Sequence, residues 1–182
     1  MRIPTLGYEK TPLQMEDGTL IYMTRLYNKI WQGYGFAGYY IYSDVGADEY
    51  ANFLLINPEN SGRIINLVIT EVGTLARARM YSYKNVENIS GGTSINIINL
   101  NFGSNITSIA QLLANPTYTG GTALVSKVIG GGYSVRAIGT VSEFGEAIII
   151  PPGYNLLIRV QNKNTSASDI SIGAIWWEET AG

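Results

Sequence analysis

The chain has 182 residues, 46% of them apolar and only 14% charged, with twelve Lys and Arg against fourteen Asp and Glu and a net charge of −2. It contains neither histidine nor cysteine, which removes the side chain that titrates near neutral pH, the imidazole and thiolate metal ligands, the thiolate nucleophile and the disulfide. Catalysis is the minority expectation, no cofactor or metal is expected, and without a run of like charges there is no electrostatic footprint for nucleic acid or an anionic membrane.

A chain of this length buries roughly 70% of the surface it exposes when unfolded, enough for one self-sufficient core. Its light charge leaves solvation to Asn, Ser, Thr, Tyr and Gly, a surface suited to contact with neighbours. The first 35 residues stand apart, with two prolines, three of the four methionines (Met1, Met15, Met23) and no clean strand before Tyr39. They predict an extended N-terminal arm, residues 1–35, ahead of a single domain over 36–182. Such an arm packs on its own domain or crosses to a neighbouring copy, a low-cost route to assembly. Met1 to Leu20 carries Arg2, Glu9, Lys10, Glu16 and Asp17, so no signal peptide is expected. No run reaches the roughly 20 apolar residues of a membrane helix. The expected product is soluble and made in a host cytoplasm.

Within the arm, Leu20, Met23, Leu26, Tyr27, Ile30 and Trp31 recur at spacings of three and four, which suits an amphipathic helix, although an alternating strand reading stays open. Gly33-Tyr34-Gly35-Phe36-Ala37-Gly38 has the letters of a dinucleotide fingerprint, but the strand-like Tyr39-Tyr40-Ile41-Tyr42 follows where a helix would be needed. It reads instead as a flexible hinge into the first core strand. Asp44, Asp48 and Glu49 lack EF-hand spacing and read as a solvated loop.

From there the period is two. Ile65, Leu67 and Ile69 alternate with Asn66, Val68 and Thr70; Ala76, Ala78 and Met80 with Arg77, Arg79 and Tyr81. The pattern returns at Tyr154, Leu156, Ile158 and Val160, and at Ile170, Ile172, Ala174 and Trp176. Turn residues mark reversals at Asn57 to Gly62, Gly91-Gly92, Asn115-Pro116, Gly120-Gly121, Gly130 to Gly132, Pro151-Pro152-Gly153 and Asn162 to Ser168. A short helix is plausible over Ser104 to Ala114, with Thr107 as its N-cap and Asn115-Pro116 as its stop. Roughly eight to ten strands fit between the turns. The fold class is all-β, an antiparallel β-sandwich of jelly-roll or Greek-key type behind the arm.

The fourteen acids keep a two-carboxylate glycosidase formally open. The nearest pairs are poor candidates: Glu143 and Glu146 flank a predicted turn, and Glu178-Glu179 sits at a terminus expected to fray. Thirteen tyrosines together with Trp31, Trp176 and Trp177 suit core packing, sugar platforms or interface anchors. Alternation buries one of Trp176 and Trp177 and sends the other outward or under the arm. The candidate contact residues are Tyr8, Leu13, Leu20, Tyr27, Trp31 and Tyr34 of the arm, with Trp177.

Three segments carry a resemblance: Leu54 to Arg63 (LLINPENSGR), Asn101 to Asn105 with Asn115 to Thr122 (NPTYTGGT), and Ile149 to Ile158 (IIPPGYNLLI) leading into Ile170 to Glu178. Together they resemble a broad group of tailed-phage virion proteins, over roughly Phe53 to Glu178, with Arg63 where that group often has Lys. The resemblance implies a non-enzymatic β-sandwich component of a virus particle, a capsid decoration or accessory protein. Its implied partners are the major capsid protein or other virion proteins and further copies of itself, with neither nucleic acid nor membrane. A glycan- or receptor-binding module of a fibre or tail is the alternative.

Overall fold

The computed structural model describes residues 11–14, 20–23, 25–130 and 140–181, so Tyr8 lies outside the described residues. Strands β1 (Thr11–Gln14) and β2 (Leu20–Met23) pair antiparallel, and helix α1 (Arg25–Trp31) follows. The apolar run from Leu20 is thus divided, strand first and helix second. Four long strands come next: β3 (Gly35–Val45), β4 (Tyr50–Ile56), β5 (Arg63–Thr74) and β6 (Ala78–Ser90). An excursion holds the short strands β7 (Thr93–Ser94), β8 (Ile98–Asn99) and β9 (Gln111–Ala114). Four more long strands complete the chain: β10 (Thr117–Ile129), β11 (Thr140–Ile150), β12 (Asn155–Asn162) and β13 (Ser168–Thr180).

The long strands pair as β3 with β13, β4 with β12, β5 with β11 and β6 with β10, all antiparallel. That is one ribbon folded back along its length, and the pairings of β12 with β6 and β13 with β5 roll it up. The result is two facing sheets, ordered β10-β6-β12-β4-β9-β7 and β11-β5-β13-β3-β8, the jelly roll anticipated from the turn spacing. The excursion supplies the two-residue strands that end one side of each sheet, the usual way to blunt an edge.

Alternation places Phe36, Phe53, Leu55, Leu67, Ile158, Ile172 and Trp176 between the sheets, all essentially without solvent exposure. The Phe36 and Trp176 rings meet at 6.2 Å. The expected phase fails at Tyr154, which is exposed in the turn before β12, and within β5. Its register slips between Ile69 opposite Ile175 and Leu67 opposite Trp176, so Val68 is a bulged extra residue and every later side chain changes face. Thr70, Val72 and Thr74 point inward, and Ile69 does not.

A second, smaller layer forms where β6 and β10 continue past the sheet and bend towards β7 and β9. There Val86, Ile89, Leu113 and Tyr118 cover Leu54 and Leu157, which face away from the main core yet are fully buried. Asparagines carry the ladder around this bend. Asn155 exchanges two hydrogen bonds with the Val86 backbone at 2.9 and 3.0 Å, and Asn115 does the same for Asn52 through its side chain and its own N–H, at 2.9 and 2.8 Å. Gly120 and Gly121, expected to reverse the chain, instead lie inside β10 with positive φ, opposite the positive-φ Asn85, and let the ribbon coil. Glu143 and Glu146 lie within β11 where its register shifts, so the predicted turn there is an irregular strand. Among the described residues eleven strands build the sandwich rather than eight to ten, because three of them are too short to leave a periodic signal.

Candidate interaction surface

Helix α1 has no fully buried residue, yet it is held at several points. Its C-terminus closes on Gly33, whose φ is +83°: Gly33 N–H donates to Ile30 O at 2.9 Å and Tyr34 N–H to Lys29 O at 2.8 Å, the double closure of a Schellman turn. Ile30 packs on Gly35 so closely that a β-carbon there would fall 2.3 Å from Ile30 Cγ1. Arg25 and Lys29 reach Glu179 at 3.0 and 3.8 Å, and the Arg25 guanidinium lies 5.9 Å from the Trp177 ring centroid. Trp177 is therefore buried beneath α1 in its own chain, the under-arm placement among the expected alternatives.

The two C-terminal glutamates are the opposite of frayed. Glu178 has no solvent exposure. It accepts hydrogen bonds from the Ser108 hydroxyl, from Ile109 N–H at 3.1 Å and from Trp176 Nε1 at 3.3 Å, and pairs with Arg63 at 3.2 Å. Arg63 in turn stacks 5.2 Å from the centroid of Tyr34. These donors explain why Ser104 to Ala114 is not helical. Its backbone is claimed by the carboxylate at Ile109 and by Ser108 Oγ, which accepts from Ala110 N–H at 3.1 Å, and such local bonds compete with a helix. A carboxylate so saturated with donors is a pin between the excursion and β13.

The pinned excursion and α1 together present apolar surface to solvent. Asn99 donates to Gly33 O and Ile106 O, both at 2.8 Å, and Asn101 donates to Trp31 O at 2.9 Å while its Oδ1 accepts from Gly103 N–H at 3.1 Å. This turn holds Phe102 out at 90% exposure beside Trp31 at 71%, and Tyr27, one turn earlier on α1, is 63% exposed. Between the rings lies a shallow cavity of about 480 Å³ lined by Ile30, Trp31, Leu100, Asn101 and Phe102, with no charged side chain. Two large aromatics without convergent polar groups suit burial against an apolar protein surface.

Of the candidate contact residues, Tyr27 and Trp31 lie on this surface, Tyr34 is half-buried against Arg63, and Trp177 is enclosed. In the backbone pairing of β1 and β2, Leu13 lies opposite Ile21 and Leu20 opposite Gln14. Phe102 was missed by the sequence reading, since a Phe within Asn-Phe-Gly-Ser carries no periodic signal; an apolar residue in a turn motif was the available hint. Asp44, Asp48 and Glu49 serve the loop itself, with Asp48 paired to Lys163 and Glu49 accepting from Gly46 N–H at 2.9 Å. Among the described residues no group of three or more acids is placed to hold a metal ion, and no helix is long and apolar enough to cross a membrane. Comparison of the chain with protein families, with curated proteins and with solved structures finds no match.

Proposed function

We propose that the protein is a non-enzymatic structural component of a virus particle, a capsid decoration or accessory protein that docks onto a neighbouring virion subunit and assembles with copies of itself. The observation that carries this reading is the Trp31–Phe102 pair, two large rings 71% and 90% exposed around an uncharged cavity. Scattered exposed hydrophobics are ordinary, but two anchors held out by a hydrogen-bonded turn are the form an interface takes. The resemblance to tailed-phage virion proteins supports the same reading. Two of its segments meet in space: Asn57 N–H donates to Tyr154 O and Gly153 N–H to Asn57 O, each at 2.9 Å, while Asn57 Nδ2 bonds Arg63 O and Ile150 O. In this chain the residues that carry the resemblance join two turns.

Mass spectrometry of purified particles tests whether the chain is present at a fixed copy number, and its absence overturns the proposal. Rebinding to particles stripped of the protein tests the surface. Trp31→Ser and Phe102→Ser are each expected to weaken attachment by about tenfold or more, since burying one such side chain contributes roughly 2 kcal/mol. Undiminished attachment of the double variant contradicts docking through α1.

A further inference from the structure

The outer face of the six-stranded sheet carries chemistry that docking through α1 does not use. The register sets the outward positions: Tyr50 and Asn52 on β4, Arg159 and Gln161 on β12, Arg79 and Tyr81 on β6. Arg159 is the direct cross-strand partner of both Asn52 and Tyr81. Its guanidinium carbon lies 3.4 Å from the Tyr50 ring centroid, and Tyr118 and Tyr83 are close by. One cation is thus ringed by phenols. Yet Arg159 Nε and Asn52 Oδ1 are both buried without a hydrogen-bond partner, and such unmet capacity is unfavourable for each group. A donor and an acceptor left unpaired at facing positions form half of a recognition pair.

Within the paired stretch of these strands the charge has one sign, with Asp48 and Glu49 in the loop before β4. Strands β4, β10 and β12 contain no Asp or Glu, and β6 contains only Glu87, beyond the stretch that β12 pairs. Arg79 and Arg159 therefore make this face cationic on a chain whose net charge is −2. Guanidinium forks match carboxylates, and phenol rings match the C–H faces of pyranose rings.

We propose that this face binds a carboxylated saccharide. Tyr50, at the first position of β4, turns aside, and a sugar ring takes its place over the guanidinium. The carboxylate accepts from Arg159, and a neighbouring sugar hydroxyl donates to Asn52 Oδ1. The guanidinium that faces the free acceptor is that of Arg159 alone, which balances a monoanion better than a dianionic phosphate ester, and the facing acceptor takes a hydroxyl that an acidic side chain lacks.

The test is calorimetric titration of the full chain with trigalacturonate and with sialyllactose, against trigalacturonate methyl ester and a hexa-aspartate peptide. At least one acidic sugar is expected to saturate the protein, with the methyl ester about tenfold weaker or worse if trigalacturonate is the one that binds. Asn52→Asp sets a carboxylate of nearly equal size against Arg159, and Arg159→Met removes the cation. Each is expected to weaken the acidic sugar by about tenfold or more, and Asn52→Asp is expected to do so with the thermal midpoint kept or raised. The proposal is overturned if neither sugar saturates by about 10 mM, where affinity is below roughly 3 kcal/mol. Equal binding of the trigalacturonate ester or of hexa-aspartate, or full binding by Asn52→Asp, overturns it as well. None of these outcomes bears on attachment to particles through Trp31 and Phe102.

Discussion

Glu178 concentrates more of the fold in one side chain than any other residue described. Its carboxylate gathers a hydroxyl, a backbone N–H, an indole N–H and a guanidinium from the excursion, β13 and β5. Glu178→Ala leaves the buried donors unmatched and is expected to cost about 3 kcal/mol, whereas Glu178→Gln keeps one acceptor oxygen and is expected to cost less. Urea unfolding of the two variants checks the order. Tyr42 is a second buried polar group. Burial, and then the nearby Tyr40, push its phenol well above the ordinary value of 10, and its hydroxyl donates to Asn52 O at 2.6 Å. The unfolded chain ionises near that ordinary value while the folded chain stays protonated, so this contribution is whole below it and is lost as pH rises beyond it. Tyr39 and Tyr118, both raised chiefly by burial, add in the same direction. Tyr42→Phe is expected to cost about 1 kcal/mol at neutral pH and to flatten the alkaline decline in thermal midpoint. An equally steep decline in the variant contradicts this assignment. Neither role is visible in the sequence, where Glu178 is an acid four residues from the chain end and Tyr42 one tyrosine of thirteen.

At the scale of elements, the signals that succeeded were local ones. Alternation through Ala76, Ala78 and Met80 and through Leu156, Ile158 and Val160 marked buried faces correctly, because a strand's two faces follow from its pleat alone. The signals that failed depended on a partner. Ile69 lost its inward place to a bulge, which is a property of the pairing with β13 and not of β5. The run ending in Leu112 and Leu113 read as a helix from the Thr107 cap and the Asn115-Pro116 stop, but the two leucines lie on opposite faces of β9, Leu112 buried in the main core and Leu113 half-buried against the second. The second core exists only because the β6–β10 ribbon bends, and Asn155 holds the bend. Asn155→Ala removes both bonds to Val86 and is expected to cost about 1–3 kcal/mol. Hydrogen exchange is the decisive readout, since protection should fall at Val86 and its neighbours while the β13 amides stay protected. Uniform loss across both sheets shows that the bend is not a separate unit.

For the whole molecule, the arm and the sandwich are less separable than a boundary at residue 35 suggests. Helix α1 lies within residues 1–35, yet it covers Trp177 and binds Glu179. Two truncations separate the roles. Deleting residues 1–24 retains α1 and is expected to leave the thermal midpoint nearly unchanged. Deleting residues 1–33 uncovers Trp177 and is expected to lower stability by roughly 2 kcal/mol, the value of burying a large apolar side chain. Calorimetry of both proteins distinguishes them, and equal midpoints contradict the role given to α1. If the arm latches a neighbour, both truncations lose particle attachment, and an attachment loss confined to the longer deletion places the contact on α1 itself.

What the sequence determined by itself was the class of structure and the chemistry it lacks. The period of two, the Gly, Pro and Asn punctuation, and the absence of His and Cys are properties of single residues and their immediate neighbours, and they carry to the folded state unchanged. Only the tertiary structure decided which strands pair, where the register slips, which of three tryptophans faces solvent, and that an acid near the terminus is fully buried. Exposure, pairing and unmet hydrogen-bonding capacity are set by whatever lies opposite a side chain. In a jelly roll the opposite residue is on average far away in sequence, as Glu178 is from Ser108 and Arg159 from Asn52.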